Sequence, residues 1–281
     1  MRLMATRAEL AEAQEGAGGR RTVLVPTMGY LHEGHLSLVD RAHELGDRVV
    51  VSIFVNPLQF GPGEDLERYP RDRERDLDLL RRRGADLVFA PELEEMYPHG
   101  EPTVTVSPGS MASRLCGAHR PGHFRGVLTV VARLFGLVRP DAAVFGRKDF
   151  QQGVLIRRMV RDLEMGVQVE LSPIVREGDG LALSSRNAYL EAEERVAATT
   201  LSGALFEARE RWRAGTSSTS SLLEGIRGRV AAEPLLQLQY ADAVDPDSLE
   251  SVAQAVDGTV LALAAFCGTT RLIDNAELSG P

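Results

Sequence analysis

Lysine is nearly missing from this 281-residue chain: a single one, Lys148, stands against 31 arginines. Cysteine is nearly missing too. The two present, Cys116 and Cys267, build neither a disulfide framework nor a four-cysteine zinc site, which points to a reducing compartment, the cytoplasm. No apolar run approaches the ~18 residues that span a bilayer, so no membrane is expected as a partner. The stretch from Met1 to Glu15 is too polar for a secretory signal. Positive charge is not in excess either. With 32 basic against 40 acidic residues the net charge is −8, which argues against a nucleic-acid surface but leaves room for a small anionic ligand. Aromatic residues make up only 5%, yet the chain is 43% hydrophobic, which can form a core and excludes disorder over the whole length.

What is there reads as alternating strands and helices. Thr22 to Val25 is a short buried strand, broken by Pro26-Thr27-Met28-Gly29, and a helix comes next with Leu36, Val39, Ala42 and Leu45 in period. Val49 to Val55 is a continuous apolar run rich in β-branched residues, as in a parallel strand covered on both faces. A charged helix is expected over Leu66 to Arg83, a strand over Asp86 to Phe89 and an edge strand or hairpin over Thr103 to Val106. An apolar helix over Leu128 to Val138, a strand over Ala142 to Phe145, a helix over Phe150 to Leu163 and a strand over Val167 to Leu171 continue the alternation. The fold class is α/β, a Rossmann-like doubly wound parallel sheet over residues 1–174. From 175 to 281 the pattern changes to a smaller α+β domain: one long helix over Ala192 to Arg213, another over Leu222 to Ala232, and strands at Leu238 to Val244 and Thr259 to Phe266.

Four stretches carry chemistry, and three of them come directly after expected strands. Ligands of open α/β sheets bind at the carboxyl ends of strands. His32 and His35, with Gly29 and Gly34, stand where the first strand ends and a helix begins, which suits an anion at a helix N-terminus. Two other readings are a zinc pair, which lacks a third ligand nearby, and two structural histidines at a helix cap. Asn56 and Gln59 come after the second strand and offer neutral amides to a carboxylate or hydroxyl. The lone lysine sits in Gly146-Arg147-Lys148-Asp149, again between strand and helix, where a compact ammonium suits a phosphate and Asp149 is expected to orient it or cap the helix. Ser184-Ser185-Arg186-Asn187 offers two hydroxyls and a guanidinium to a polyphosphate, or simply a cap. A fifth stretch, Arg120 to Gly126, reads equally as a mobile loop or a structured turn.

Together the blocks VPTMGYLHEGH, SIFVNPLQF, RPGHFRGVLTVV, FGRKDFQQ and DGLALSSRN, with TTRLIDN near the end, resemble the pantoate–β-alanine ligase family. The resemblance implies a nucleotidyltransferase-type Rossmann-like domain, a smaller C-terminal domain that closes over the site, and a homodimer. It implies condensation of pantoate with β-alanine using ATP and Mg²⁺, with release of AMP and pyrophosphate. It assigns ATP contacts to Met28, Gly29, Tyr30, Leu31, His32, Glu33, Gly34 and His35, to Gly146, Arg147, Lys148 and Asp149, and to Val175, Leu183, Ser184, Ser185 and Arg186. It assigns pantoate to Gln59 and Gln152, places Gln59 beside β-alanine, and gives His35 the role of proton donor. The catalytic set is then His35, His32, Lys148 and Arg186.

One departure stands out: Arg147 occupies a position that is usually acidic in that family. The segment from Asp72 to Asp76 is not a close match either, so the sequence names no metal ligand. The chemistry fits the residue types. A carboxylate becomes an acylating agent once it is adenylated, and the site must gather anions and neutralise the charge on a leaving pyrophosphate. The alternative is a nucleotidyltransferase acting on a phosphorylated acceptor, which would share the histidines but release no AMP. A zinc hydrolase or a non-catalytic nucleotide-binding module are more distant alternatives.

Overall fold

The structure, a computed structural model, describes residues 1–16 and 18–280. Six strands, β1 (Arg2–Met4), β2 (Thr22–Thr27), β3 (Arg48–Ile53), β4 (Leu87–Phe89), β5 (Ala142–Gly146) and β6 (Gln168–Ser172), form one parallel sheet in the order β1-β4-β3-β2-β5-β6. Residues alternate between its faces. Leu24, Val50, Ala143 and Phe145 pack towards α1 (Arg7–Glu15), α6 (His123–Val138) and α7 (Phe150–Asp162). Val23, Val25, Val49, Val51 and Val144 pack towards α2 (Glu33–Leu45) and α3 (Arg73–Arg82). Burial on both faces is why these strands read as continuous apolar runs. Short helices α4 (Leu93–Met96) and α5 (Leu115–His119) lie between β4 and α6.

The remaining helices are α8 (Ala192–Ala197), α9 (Thr199–Arg213) and α10 (Thr219–Ala231). They precede an antiparallel sheet of β7 (Leu236–Val244), β8 (Val260–Cys267) and β9 (Thr270–Glu277). One face of that sheet, with Ala241, Ala243, Leu261, Leu263 and Ala265, packs with Leu201, Leu205, Leu222 and Ile226. From the other face Val244, Val260 and Ala262 meet Phe150 and Val154 of α7 and Leu115 of α5. The small sheet is thereby held against the helix that comes after β5.

Several elements differ from expectation, each for a local reason. β2 runs through Pro26 to Thr27. Its pairing with β5 ends at Leu24 while pairing with β3 continues, so beyond Leu24 it is an edge strand, where proline is tolerated. α3 begins only at Arg73. Pro70 disfavours helix before it, and Asp72 is the N-cap, its carboxylate accepting from the Arg75 amide. Thr103 to Val106 is not a strand. It lies along α6, with the Val106 amide donating to the Thr129 hydroxyl. The helix expected over Ala192 to Arg213 breaks at Ala198, where the Thr199 hydroxyl donates back to the Val196 carbonyl and competes with the ladder. β1 and β9 are additions to the expected strands. The first is too short to leave a pattern, and in the second Arg271, Asp274 and Asn275 interrupt the apolar run.

The sheet order creates a switch point. From β2 the chain passes to β3 on one side, while β5 lies on the other, so the loops leaving β2 and β5 diverge and open a crevice at their carboxyl ends. The loop after β3 is pressed into that crevice by α6. A Cβ on Gly126 would collide with the Leu58 carbonyl oxygen. Gly126→Ala is therefore expected to lower the thermal midpoint through an overpacking strain of about 1–3 kcal/mol. Gly136→Ala, on the exposed side of the same helix with open space around it, is expected to raise stability by about 0.5–1 kcal/mol.

Candidate active site

The loop leaving β2 folds on itself through Gly29 (φ +83) and Tyr30 (φ +51), both left-handed. A buried carboxylate holds it there. The Tyr30 and Leu31 amides each donate to Asp76 at 2.7 Å. Burial pushes the Asp76 carboxyl up from its ordinary value, and these two hydrogen bonds oppose that shift. Gly29 has no room for a side chain, since a Cβ would sit 3.0 Å from an Asp76 oxygen. The loop is tied on its other side by the Ser185 hydroxyl, which donates to the Tyr30 carbonyl.

This loop delivers His32 to the N-cap of α2. The Gly34 amide donates to His32 Nδ1 at 3.1 Å, and the His32 amide donates to His35 Nδ1 at 3.4 Å. The rings lie 4.1 Å apart. With each Nδ1 accepting, both imidazoles carry their proton on Nε2 and keep that N–H for a ligand. Burial, reinforced by the Lys148 charge, lowers His32 to about 4. Burial, and then the neighbouring His32 and Lys148, hold His35 well below its ordinary value. Gly34 is required by the His32 ring, 2.9 Å from where its Cβ would be.

After β3, Gln59 is buried and its amide nitrogen donates to Met28 Sδ at 3.1 Å. Asn56 does not face a ligand, contrary to expectation. Its nitrogen donates to Gln59 Oε1 and the Gly126 carbonyl, and its oxygen accepts from Tyr97. It is a brace for Gln59. The Arg120–Gly126 stretch is a structured turn entering α6. His123 Nδ1 donates to the Gln59 carbonyl at 2.7 Å, and its Nε2 accepts from Arg120, whose guanidinium also pairs with Glu64. Burial first, then the Arg120 charge, lowers His123 to about 4.

After β5, Arg147–Asp149 form a 3₁₀ turn. The Lys148 ammonium makes no hydrogen bond or ion pair among the described residues, and it borders the cleft. Arg147 turns the other way and pairs with Glu277 of β9. Asp149 does not cap α7 with its side chain, against one of its two expected roles, and it too borders the cleft. Gln152 stands one turn further on.

The last stretch lies on a 3₁₀ turn, Ser185–Tyr189, capped by the Ser184 hydroxyl. Arg186 Nε and Nη2 donate to the two oxygens of Asp65 at 2.8 Å each, with the guanidinium 5.6 Å from the Tyr69 ring. Burial alone would raise the Asp65 carboxyl, but the Arg186 hydrogen bonds and charge outweigh it and leave it below its ordinary value. The Leu183 amide donates to the Val175 carbonyl, fixing both at the rim.

These parts enclose one cleft with two lobes, of about 210 and 380 Å³. Lys148, Asp149, Gln152, Ser184 and Arg186 border both. Met28, His32, Gly34, His35, Gln59, Gly146, Val175, Leu183 and Ser185 border only the smaller, whose floor is apolar: Phe54, Val127, Val130, Val131, Leu134 and Phe145. Gly29, Tyr30, Leu31, Glu33 and Arg147 border neither. The Tyr30 and Leu31 amides are spent on Asp76, and Glu33 pairs with Arg83 on the outside. Sequence reasoning missed Asp65 and Asp76, and the bracing role of Asn56. Only Asp76 left a signal, an acid one helical turn before the buried Leu80. No cluster of three or more His, Cys, Asp or Glu side chains suited to a metal exists among the described residues, and no described helix is long and apolar enough to cross a membrane.

The sequence profile of the pantoate-beta-alanine ligase family matches residues 2–277. The pantothenate synthetase of Thermoanaerobacter sp. (strain X514) is 53% identical over 262 residues, 93% of this chain and 92% of that protein. That of Roseiflexus sp. (strain RS-1) is 52% identical over 99% of both chains. The crystal structure of pantothenate synthetase from Thermus thermophilus superposes with a TM-score of 0.94 at 49% identity, covering 99% of this chain and 100% of that one. The Francisella tularensis pantoate-beta-alanine ligase, complexed with beta-gamma ATP and beta-alanine, superposes with a TM-score of 0.83 at 31% identity, covering 99% of this chain and 98% of that one.

The neutral histidines give stability a pH dependence of definite sign. His32 and His123 remain unprotonated in the fold down to about 4, whereas their ordinary value is 6.5. Between those limits the unfolded chain binds more protons than the folded one, so stability is present above the upper limit and lost as pH falls. Lowering the pH from about 7 to about 4.5 is expected to lower the thermal midpoint, with up to roughly 3 kcal/mol from each imidazole. His123→Gln is expected to make that decline shallower than in the parent.

Proposed function

The chain belongs to the pantoate–β-alanine ligase family, and from that premise we propose how its two-histidine cleft performs the family's reaction. The protein is an ATP-dependent ligase that condenses pantoate with β-alanine. The observation that carries the assignment of roles is the combination of one unpaired ammonium with two neutral imidazole donors beside an apolar lobe that has amides at its edge.

Pantoate is a small branched hydroxy acid. Its methyl groups suit the lobe floored by Val127, Val130, Val131 and Leu134, and its hydroxyl and carboxylate oxygens suit the amides of Gln59 and Gln152. Gln59 also stands beside β-alanine in this reading. ATP lies across the ends of β2 and β5, between His32, His35, Gly146 and Lys148 on one side and Val175 with Leu183 to Arg186 on the other. A pantoate carboxylate oxygen attacks the α-phosphorus, and the bond from that phosphorus to the bridging oxygen breaks. Lys148, Ser184 and Arg186 stabilise the charge that moves onto pyrophosphate, joined by Ser185 once its hydroxyl turns from the Tyr30 carbonyl to a phosphate oxygen, and the Nε2–H groups of His32 and His35 donate to phosphate oxygens without bringing charge of their own. The neutral amine of β-alanine then attacks the acyl carbon, the bond from that carbon to the AMP phosphate oxygen breaks, and the amide forms as the nitrogen sheds a proton to the departing phosphate or solvent. The buried cleft protects the acyl adenylate from water.

Arg186 spends Nε and Nη2 on Asp65 and keeps Nη1 for a phosphate, so Asp65 holds the guanidinium back and tempers the charge it offers to ATP. Asp149, whose carboxylate makes no hydrogen bond or ion pair among the described residues, is the protein oxygen beside Lys148 that would take part in holding Mg²⁺ together with the phosphates. When bound, Mg²⁺ would supply neutralisation of phosphate charge. Residues 175–281 form a smaller domain closing over the site, supported by their separate core. A homodimer in the cytoplasm is supported by the family resemblance and, for the compartment, by two free buried cysteines.

ATP, Mg²⁺ and pantoate alone should yield pyrophosphate, with AMP and an amide product only once β-alanine is added. A nucleotidyltransferase would release no AMP, and pantoate-independent pyrophosphate would overturn the reading. Lys148→Ala is expected to slow pantoate-dependent pyrophosphate release by ~10²-fold or more with an unchanged thermal midpoint. Asp65→Asn is expected to lower KM for ATP by a few-fold, on the order of one weakened charge-assisted contact, as measured in steady-state assays.

A further inference from the structure

Nothing at the tip of Lys148 fixes its position, since the ammonium has no protein partner among the described residues. Its main chain is a short 3₁₀ turn without a side-chain cap. The turn is instead held from the other sheet. Asn275 of β9, 3% exposed, donates through Nδ2 to the Arg147 carbonyl at 3.0 Å and the Lys148 carbonyl at 3.1 Å. Two residues on, and so on the same face of the strand, Glu277 pairs with the Arg147 guanidinium. Asn275 is itself anchored. Its amide donates to Asp274 at 2.7 Å, its carbonyl accepts from Arg176, and Arg176 grips Asp274 with two hydrogen bonds of 2.7 and 2.8 Å.

We propose that Asn275, assisted by Glu277, is a positioning residue for Lys148: the C-terminal sheet, through β9, sets where the lysine stands in the cleft. The proposal rests on the role given to Lys148 above. It explains why a chain-terminal block at the border of the larger lobe carries Asp274 and Asn275 buried in a strand, and why Arg147 is accommodated. The arginine is directed to β9, and its charge is met by Glu277 away from the cleft. An amide is needed at 275 because two carbonyl oxygens require two N–H donors from one atom. A carboxylate of the same shape would face both with oxygen.

The test separates the two half-reactions. Asn275→Ala is expected to slow pantoate-dependent pyrophosphate release about tenfold, the equivalent of one such hydrogen bond, and Asn275→Asp to slow it further. KM for pantoate should stay within about twofold, and so should the reaction of preformed pantoyl adenylate with β-alanine, because by then pyrophosphate has left. In a Lys148→Ala background, Asn275→Ala should add less than about twofold, since residues acting through one group are not additive. Glu277→Arg should slow pyrophosphate release, and pairing it with Arg147→Glu should restore the rate. This swap also decides the matter if the Asn275 variants do not fold. Unchanged pyrophosphate release in Asn275→Ala, an equal loss in both half-reactions, a full additional loss on top of Lys148→Ala, or a swap that restores nothing would each overturn the proposal. Should Lys148→Ala retain full pyrophosphate release, the role of Lys148 falls first and this inference with it.

Discussion

Two hydrogen bonds of 2.7 Å, from the Tyr30 and Leu31 amides to the Asp76 carboxylate, hold the turn on which the cleft is built. The turn needs two successive left-handed residues, one of them a tyrosine, and such a conformation persists only where the surroundings over-determine it. Asp76 supplies that constraint from α3. With the turn fixed, His32 caps α2, its ring locks over Gly34, and the His32 amide reaches His35. The tautomer of both imidazoles is therefore a consequence of main-chain geometry set by a carboxylate that borders neither lobe.

Charge around the smaller lobe is arranged so that little of it is free. Arg120 is paired with Glu64, Arg186 with Asp65, and the histidines are neutral. At the smaller lobe Lys148 is the one cation without an acidic partner among the described residues, while Arg68 and Arg271 border the larger lobe with no acid beside them. The smaller lobe therefore presents one unpaired ammonium and two neutral imidazole donors, with Arg186 held beside them by Asp65. A site built this way keeps its parts ordered without substrate and avoids clustering like charges in a buried space.

The two sheets are joined by more than apolar packing. Val244, Val260 and Ala262 meet Phe150 and Val154, and the polar edge of β9 reaches the turn that carries Lys148. Arg147, where the family usually has an acid, is part of that seam. Its side chain borders neither lobe, so its charge adds to the junction between the sheets and leaves the charge inside the cleft unaltered.

The apolar β-branched runs, the glycines at loop reversals and the single lysine were enough to read a doubly wound sheet and to put His32, His35, Gln59 and Lys148 at strand ends, because strand period and chain reversal are local properties. The sequence by itself determined which chemical groups the protein owns and at which strand ends they stand. It could not say which groups are free. That depends on partners 46 residues apart for Tyr30 and Asp76, 121 for Arg186 and Asp65, and 127 for Asn275 and Lys148. Hydrogen bonds and ion pairs act over a few ångströms in space with no regard to distance along the chain, so only the folded arrangement decided that Asn56 braces, Arg147 faces away and Lys148 is left without an acidic partner.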